Sequence, residues 1–175
     1  KEQNIFVLPF NEVEMILVDE AVVKSCLPFD DDKEKQQKFE NLQQSIIESC
    51  KEKKDKIISL ALKKRLDEFM ESHLIESEPN EHDAHVFLDS LSSKFDVDST
   101  FNKINSIVVE SLASSDFSRI LKICNLKNEI IDYRGNTQIT SKLKEKALSR
   151  ITLDSDLQTV LRHKYFEELE MKLLQ

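Results

Sequence analysis

At 175 residues, with 39% apolar and 33% charged side chains, the chain is long enough to bury about two-thirds of its unfolded surface as one domain. One glycine and three prolines argue against sheets, phosphate-cradling loops and nucleophile elbows, which use glycine for positive φ and close backbone approach. The net charge of −8 repels phosphate backbones and argues against general nucleic-acid binding.

The expected fold is therefore all-α, a single-domain helical bundle of about seven or eight helices spanning 1–175. Residues 1–10 read as an extended N-terminal arm ending at Pro9-Phe10. Asn11 with Glu14 resembles a capping box, followed by a first helix over about Asn11 to Lys24 with Val13, Ile16, Leu17 and Ala21 at helical spacing. Cys26-Leu27-Pro28-Phe29 ends it, because proline disfavours the helical state in the residue before it.

Asp30-Asp31-Asp32 is placed to cap the next helix and to complement its dipole. From Lys33 to about Ser77 there is neither Gly nor Pro. One stripe holds Phe39, Leu42, Ile46 and Cys50; a second holds Ile58, Leu62, Leu66, Phe69 and His73. Lys51 to Lys56 carry no apolar side chain, which favours two helices, or a change of face, over one long rod.

Pro79-Asn80 restarts the chain, with Asn80 and Asp83 as a cap pair for a short helix bearing Ala84, Phe87, Leu88 and Leu91. Lys94 to Asp98 reads as a loop, and Ser99 as the cap of a helix with Phe101, Ile104, Val108 and Leu112. Ser114 or Ser115 then caps a helix carrying Phe117, Leu121, Cys124 and Ile131, closed by Gly135 at its C-cap. A helix over about Thr137 to Ile151 follows, with Ile139, Leu143 and Ala147. The last, over 152–175, is capped by Asp154 or Ser155 and carries Leu157, Val160, Leu161, Leu169 and Leu173.

No candidate for chemistry withstands comparison with its plainer alternative. Asp96-Val97-Asp98-Ser99-Thr100 matches the DxDxT string of aspartate-dependent phosphotransferases, but that chemistry needs the first Asp at the end of a buried strand. The same string fails as a calcium loop, since Phe101 stands at the glycine turn and Ile107 at the bidentate position. A helix-capping loop is the better account. His82, Asp83, His85 and Asp89 form the one metal-like cluster, yet no Cys or further His nearby supplies third and fourth ligands, and HExxH is absent. Neither metal nor cofactor is expected, and the enzyme hypothesis has no positive support. The basic run Lys51, Lys53, Lys54, Lys56 is interrupted by Glu52 and Asp55 and reads as a solvated face.

Three cysteines (Cys26, Cys50, Cys124) without a CxxC pair, and no Asn-x-Ser/Thr sequon, fit a reducing cytoplasm. No apolar run approaches a membrane span, and Lys1-Glu2-Gln3-Asn4 does not resemble a signal peptide. The lack of an initiator Met suggests a trimmed chain or a fragment of a longer protein.

Two stretches resemble the BART-like family, helical effectors of Arf-like small GTPases. One is Ile16 to Glu20 with Cys26 and the acidic Phe29-Asp30-Asp31-Asp32; the other is Ala113 to Lys122, similar to the family's Asp-Phe-x-x-Phe-Lys helix, with Asn128 and Glu129 after it. Together they cover about a quarter of the chain. The sequence departs from the family in a longer Lys33 to Leu74 region, in lacking a Leu-x-Tyr pattern, and in placing the lysine one position late after Ile120-Leu121.

The resemblance implies a non-catalytic adaptor that binds a GTP-loaded Arf-like GTPase, including its amphipathic N-terminal helix, in an apolar groove. It also implies a ciliary or centrosomal place in the cytoplasm, with Phe117 and Leu121 as the partner-binding positions to test. The alternative is a structural piece of a larger assembly that pairs through its long Lys33 to Ser77 helix.

Overall fold

The computed structural model describes residues 13–29, 31–74 and 94–167, with no side-chain account of 73 and 74. The described residues are helical and contain no strand, and eight helical segments run to seven residues or more. The all-α reading holds. The Asn11 cap, the 79–91 helix, the His82, Asp83, His85 and Asp89 cluster, and Leu169 and Leu173 lie outside the described residues.

The first helix is two pieces rather than one. A 3-10 segment, Val13–Val18, gives way at Asp19 to α1, Glu20–Cys26. Asp19 is extended, at ψ 145°, and its carboxylate accepts the Ala21 N–H, so an aspartate within the expected helix serves instead as an N-cap. Helix α2, Asp32–Glu52, starts from the acidic run as expected: Asp31 accepts the Lys33 N–H. Its stripe of Phe39, Leu42, Ile46 and Cys50 is buried throughout.

A single residue, Lys53, separates α2 from α3, Lys54–Leu74. Hydrogen bonds from Lys53 N to Ser49 O and from Ile57 N to Lys53 O carry the helical pattern across the break. The two-helix expectation holds, but the second stripe does not become core. Ile57 and Ile58 are buried, Leu62 is only half-buried, and Leu66 stays 41% exposed. Helix α3 pairs with α4, Val97–Ser114, and Phe69 meets Phe95 with ring centroids 5.0 Å apart.

Asp96 caps α4 by accepting the Ser99 N–H at 2.9 Å, while the Thr100 hydroxyl donates to the Asp96 carbonyl. The DxDxT string is thus a helix cap, with Asp96 in the role expected of Ser99. Ser115 ends α4 in the left-handed region at φ 51°, and Asp116, not Ser114 or Ser115, caps α5, Phe117–Ile123.

Helix α5 does not continue to Ile131. It stops at Cys124, and a π-helical segment, Asn128–Gly135, supplies Ile130 and Ile131 to the core. Gly135 is not a left-handed cap, since its φ is −61°. Its value is space: a Cβ there would lie 2.4 Å from Leu143 Cδ2. One turn, Asn136–Gln138, precedes α6, Leu143–Leu153, and α7, Ser155–Tyr165, begins at its Asp154 cap.

The core is one connected cluster. Helix α1 packs on α2, α6 and α7, and α2 also meets α5 and the π segment. A polar knot ties α2 to that segment: Ser49 Oγ donates to Glu129 at 3.1 Å, Lys53 pairs with the other carboxylate oxygen, and Arg134 Nε stands 3.5 Å away as a charge contact.

Candidate functional site

The sequence singled out Phe117 and Leu121, four residues apart and so on one face of α5. Asp116 starts this helix by accepting the N–H groups of Ser118 and Arg119. Both apolar side chains are half-buried and rest against the core. Phe117 meets Phe39 of α2 edge to face, with centroids 6.2 Å apart and rings at 90°, the arrangement the ring quadrupoles favour.

These residues line a concavity of about 230 Å³ together with the buried Met15, Val18 and Phe39 and with Asp19, Lys164 and Tyr165. The structure therefore brings Phe117 and Leu121 together at one site. It adds a polar group with no local trace in the sequence. The Asp19 side chain is 2% exposed, and Lys164 Nζ donates to its Oδ2 at 2.6 Å. The Tyr165 hydroxyl donates to the same oxygen.

A buried carboxylate is tolerated only when paired and hydrogen-bonded, and Asp19 meets both conditions while also capping α1. Burial pushes the Tyr165 phenol well above its ordinary range, and the hydrogen bond to Asp19 and its charge add to the shift. Tyr165 therefore holds its proton through the whole neutral range and acts as a fixed donor. The evident work of this trio is to hold α7 against α1.

Two other concavities differ in kind. One of about 230 Å³ lies between α3 and α4, where Ala61, Ile104, Ile107 and Val108 are joined by the charged Lys64, Arg65, Glu68 and Lys122. The other, about 580 Å³, lies between α1 and α6 under Lys142, Lys146 and Arg150, with Cys26 and Leu27 at its base. No group of three or more His, Cys, Asp or Glu suited to a metal ion occurs among the described residues. Among the same residues, no helix is long and apolar enough to cross a membrane. Comparisons with family models, characterised proteins and solved structures find no match to this chain.

Proposed function

We propose that the protein is a non-catalytic helical interaction module whose concavity beside Phe117 and Leu121 takes apolar anchors from a partner's amphipathic helix. One observation carries the reading. Two half-buried apolar side chains on one face of α5 line a concavity with Met15, Val18 and Phe39, and the same concavity includes the buried Asp19 carboxylate, held by the half-exposed Lys164 and by Tyr165. Walls held in place beforehand reduce the ordering cost of binding. The BART-like resemblance names the partner class, a GTP-loaded Arf-like small GTPase, and with it a cytoplasmic, ciliary or centrosomal setting.

The test is binding of purified Arf-like GTPases in both nucleotide states. Preference for the GTP state is expected, because only that state orders the switch loops. Leu121→Ala should weaken binding by ~2 kcal/mol if it is an anchor, while circular dichroism and melting report whether the fold survives. Raising salt should weaken binding only modestly. Equal or absent binding in both states removes the effector reading.

A scaffold role is favoured by a different observation. Helices α3 and α4 leave Leu60, Leu66, Phe101 and Ile107 exposed on the outer pair. Association through that pair, abolished by Leu66→Glu or Ile107→Glu without loss of Phe117-dependent binding, would place this reading ahead.

A further inference from the structure

We infer that Cys50 and Cys124 form a modification site, a dithiol that hydrogen peroxide closes to an intramolecular disulfide. The two residues lie 74 apart in sequence, yet their Sγ atoms are 3.6 Å apart and both side chains are fully buried. The Cys26 thiol instead lies 4.0 Å from the Ser25 hydroxyl. A disulfide needs about 2.05 Å between sulfurs, so the pair must close by about 1.5 Å. Cys50 is held in the last turns of α2, but Cys124 stands where the chain leaves α5 for the π segment. The movement can therefore come from a connection rather than from inside a helix.

The surroundings favour ionisation of one thiol. The hydrogen bond with Cys124 holds the Cys50 thiol below its ordinary range in spite of burial; Glu129 opposes the shift and Lys53 assists it. The Cys50 thiolate attacks one peroxide oxygen, the O–O bond breaks, and sulfur is oxidised to a sulfenic acid as hydroxide leaves. Cys124 then attacks that sulfur, the S–S bond forms, and the S–O bond breaks with a second hydroxide departing. The two thiol protons neutralise both hydroxides, so two thiols and one peroxide give one disulfide and two waters. Burial gates the step: peroxide is small enough to enter on local opening, whereas a bulky thiol reagent is slowed.

The experiment treats the full chain with hydrogen peroxide and reads intact mass, free thiols and a non-reducing tryptic map. The expected result is a loss of two hydrogens, a fall from three free thiols to one, and peptide 39–51 joined to 123–127. The melting temperature should rise by several degrees, because the bond closes a long loop in the unfolded chain. Cys26→Ala should cross-link as the parent does, whereas Cys50→Ala and Cys124→Ala should not. Sulfinic acid at Cys50 without a cross-link, a bond through Cys26, or only intermolecular dimers would overturn the assignment. So would a cross-linked protein that melts lower, since native packing would then resist the bond. The parent protein's peptide map decides the matter even if a cysteine variant fails to fold.

Discussion

Helices α2 and α3 are each 21 residues long and are separated by one lysine, yet they live in different surroundings. Helix α2 buries Phe39, Leu42, Ile46, Ile47 and Cys50, whereas among the described side chains of α3 only Ile57 and Ile58, near its start, are buried. Both carry apolar residues at helical spacing, so periodicity alone did not separate them. The difference lies in what faces them. Helix α2 is met by α1, α5 and the π segment, while α3 has α4 as its main neighbour. An amphipathic stripe marks a helix as able to bury a face; the number of neighbours decides how much of it is buried.

Substitutions can break this contrast, and the largest effect should come from α2. Ile46→Ala removes a fully buried side chain and should cost about 3 kcal/mol in chemical denaturation, through lost transfer energy and a residual cavity. If it costs no more than a surface change, the core has been misplaced.

The knot that joins the end of α2 to the π segment should come next. Glu129→Gln loses the Lys53 pair and weakens the Ser49 contact, with an expected loss of about 1–2 kcal/mol. The hydrogen bond from Lys53, helped by Ser49 and by the charges of Lys53 and Arg134, holds the Glu129 carboxyl below its ordinary 4.5 against partial burial. Its contribution is therefore complete above pH 4.5 and is lost as pH falls through the lower folded-state value. Acid unfolding of the parent should show a steeper stability loss below pH 4.5 than Glu129→Gln does; identical slopes would remove this role.

Gly135→Ala sets two effects against each other. Alanine favours the helical backbone by about 1 kcal/mol, but the new methyl group would lie 2.4 Å from the fully buried Leu143. Overpacking of this kind costs about 1–3 kcal/mol, so a net loss of about 1 kcal/mol is expected from melting curves. A gain would mean that Leu143 has room to turn. The smallest effect belongs to α3: Leu66→Ala should change stability by less than about 0.5 kcal/mol, and a large loss would reveal a partner surface that the described residues do not supply.

The parts of the fold that were legible rest on local chemistry. The missing glycines announced helices, the Phe39 to Cys50 stripe announced the main core helix, and Asp31 and Asp154 cap as their acidic positions suggest. Cap register was less legible at Asp96 and Asp116, because Ser and Asp compete for the same backbone N–H groups and neighbouring serines hid the true caps. The π segment left no visible mark, since a change from four- to five-residue hydrogen bonding alters no side-chain type. Phe117 and Leu121 were named through the BART-like resemblance, and both line one concavity. Asp19, Lys164 and Tyr165 were not found, because that contact joins residues 145 and 146 positions apart.

That separation also has a consequence in time. Asp19 caps α1 through one carboxylate oxygen and receives Lys164 and Tyr165 on the other. During synthesis its distant partners leave the ribosome roughly ten seconds or more after it does. Until then the carboxylate can cap a helix that remains open to solvent, and the concavity beside Phe117 and Leu121 lacks Lys164 and Tyr165. The concavity is therefore a late product of folding, formed when α7 docks. Loss of α7 should accordingly speed hydrogen exchange at the Ala21 amide, in a helix near the opposite end of the described chain.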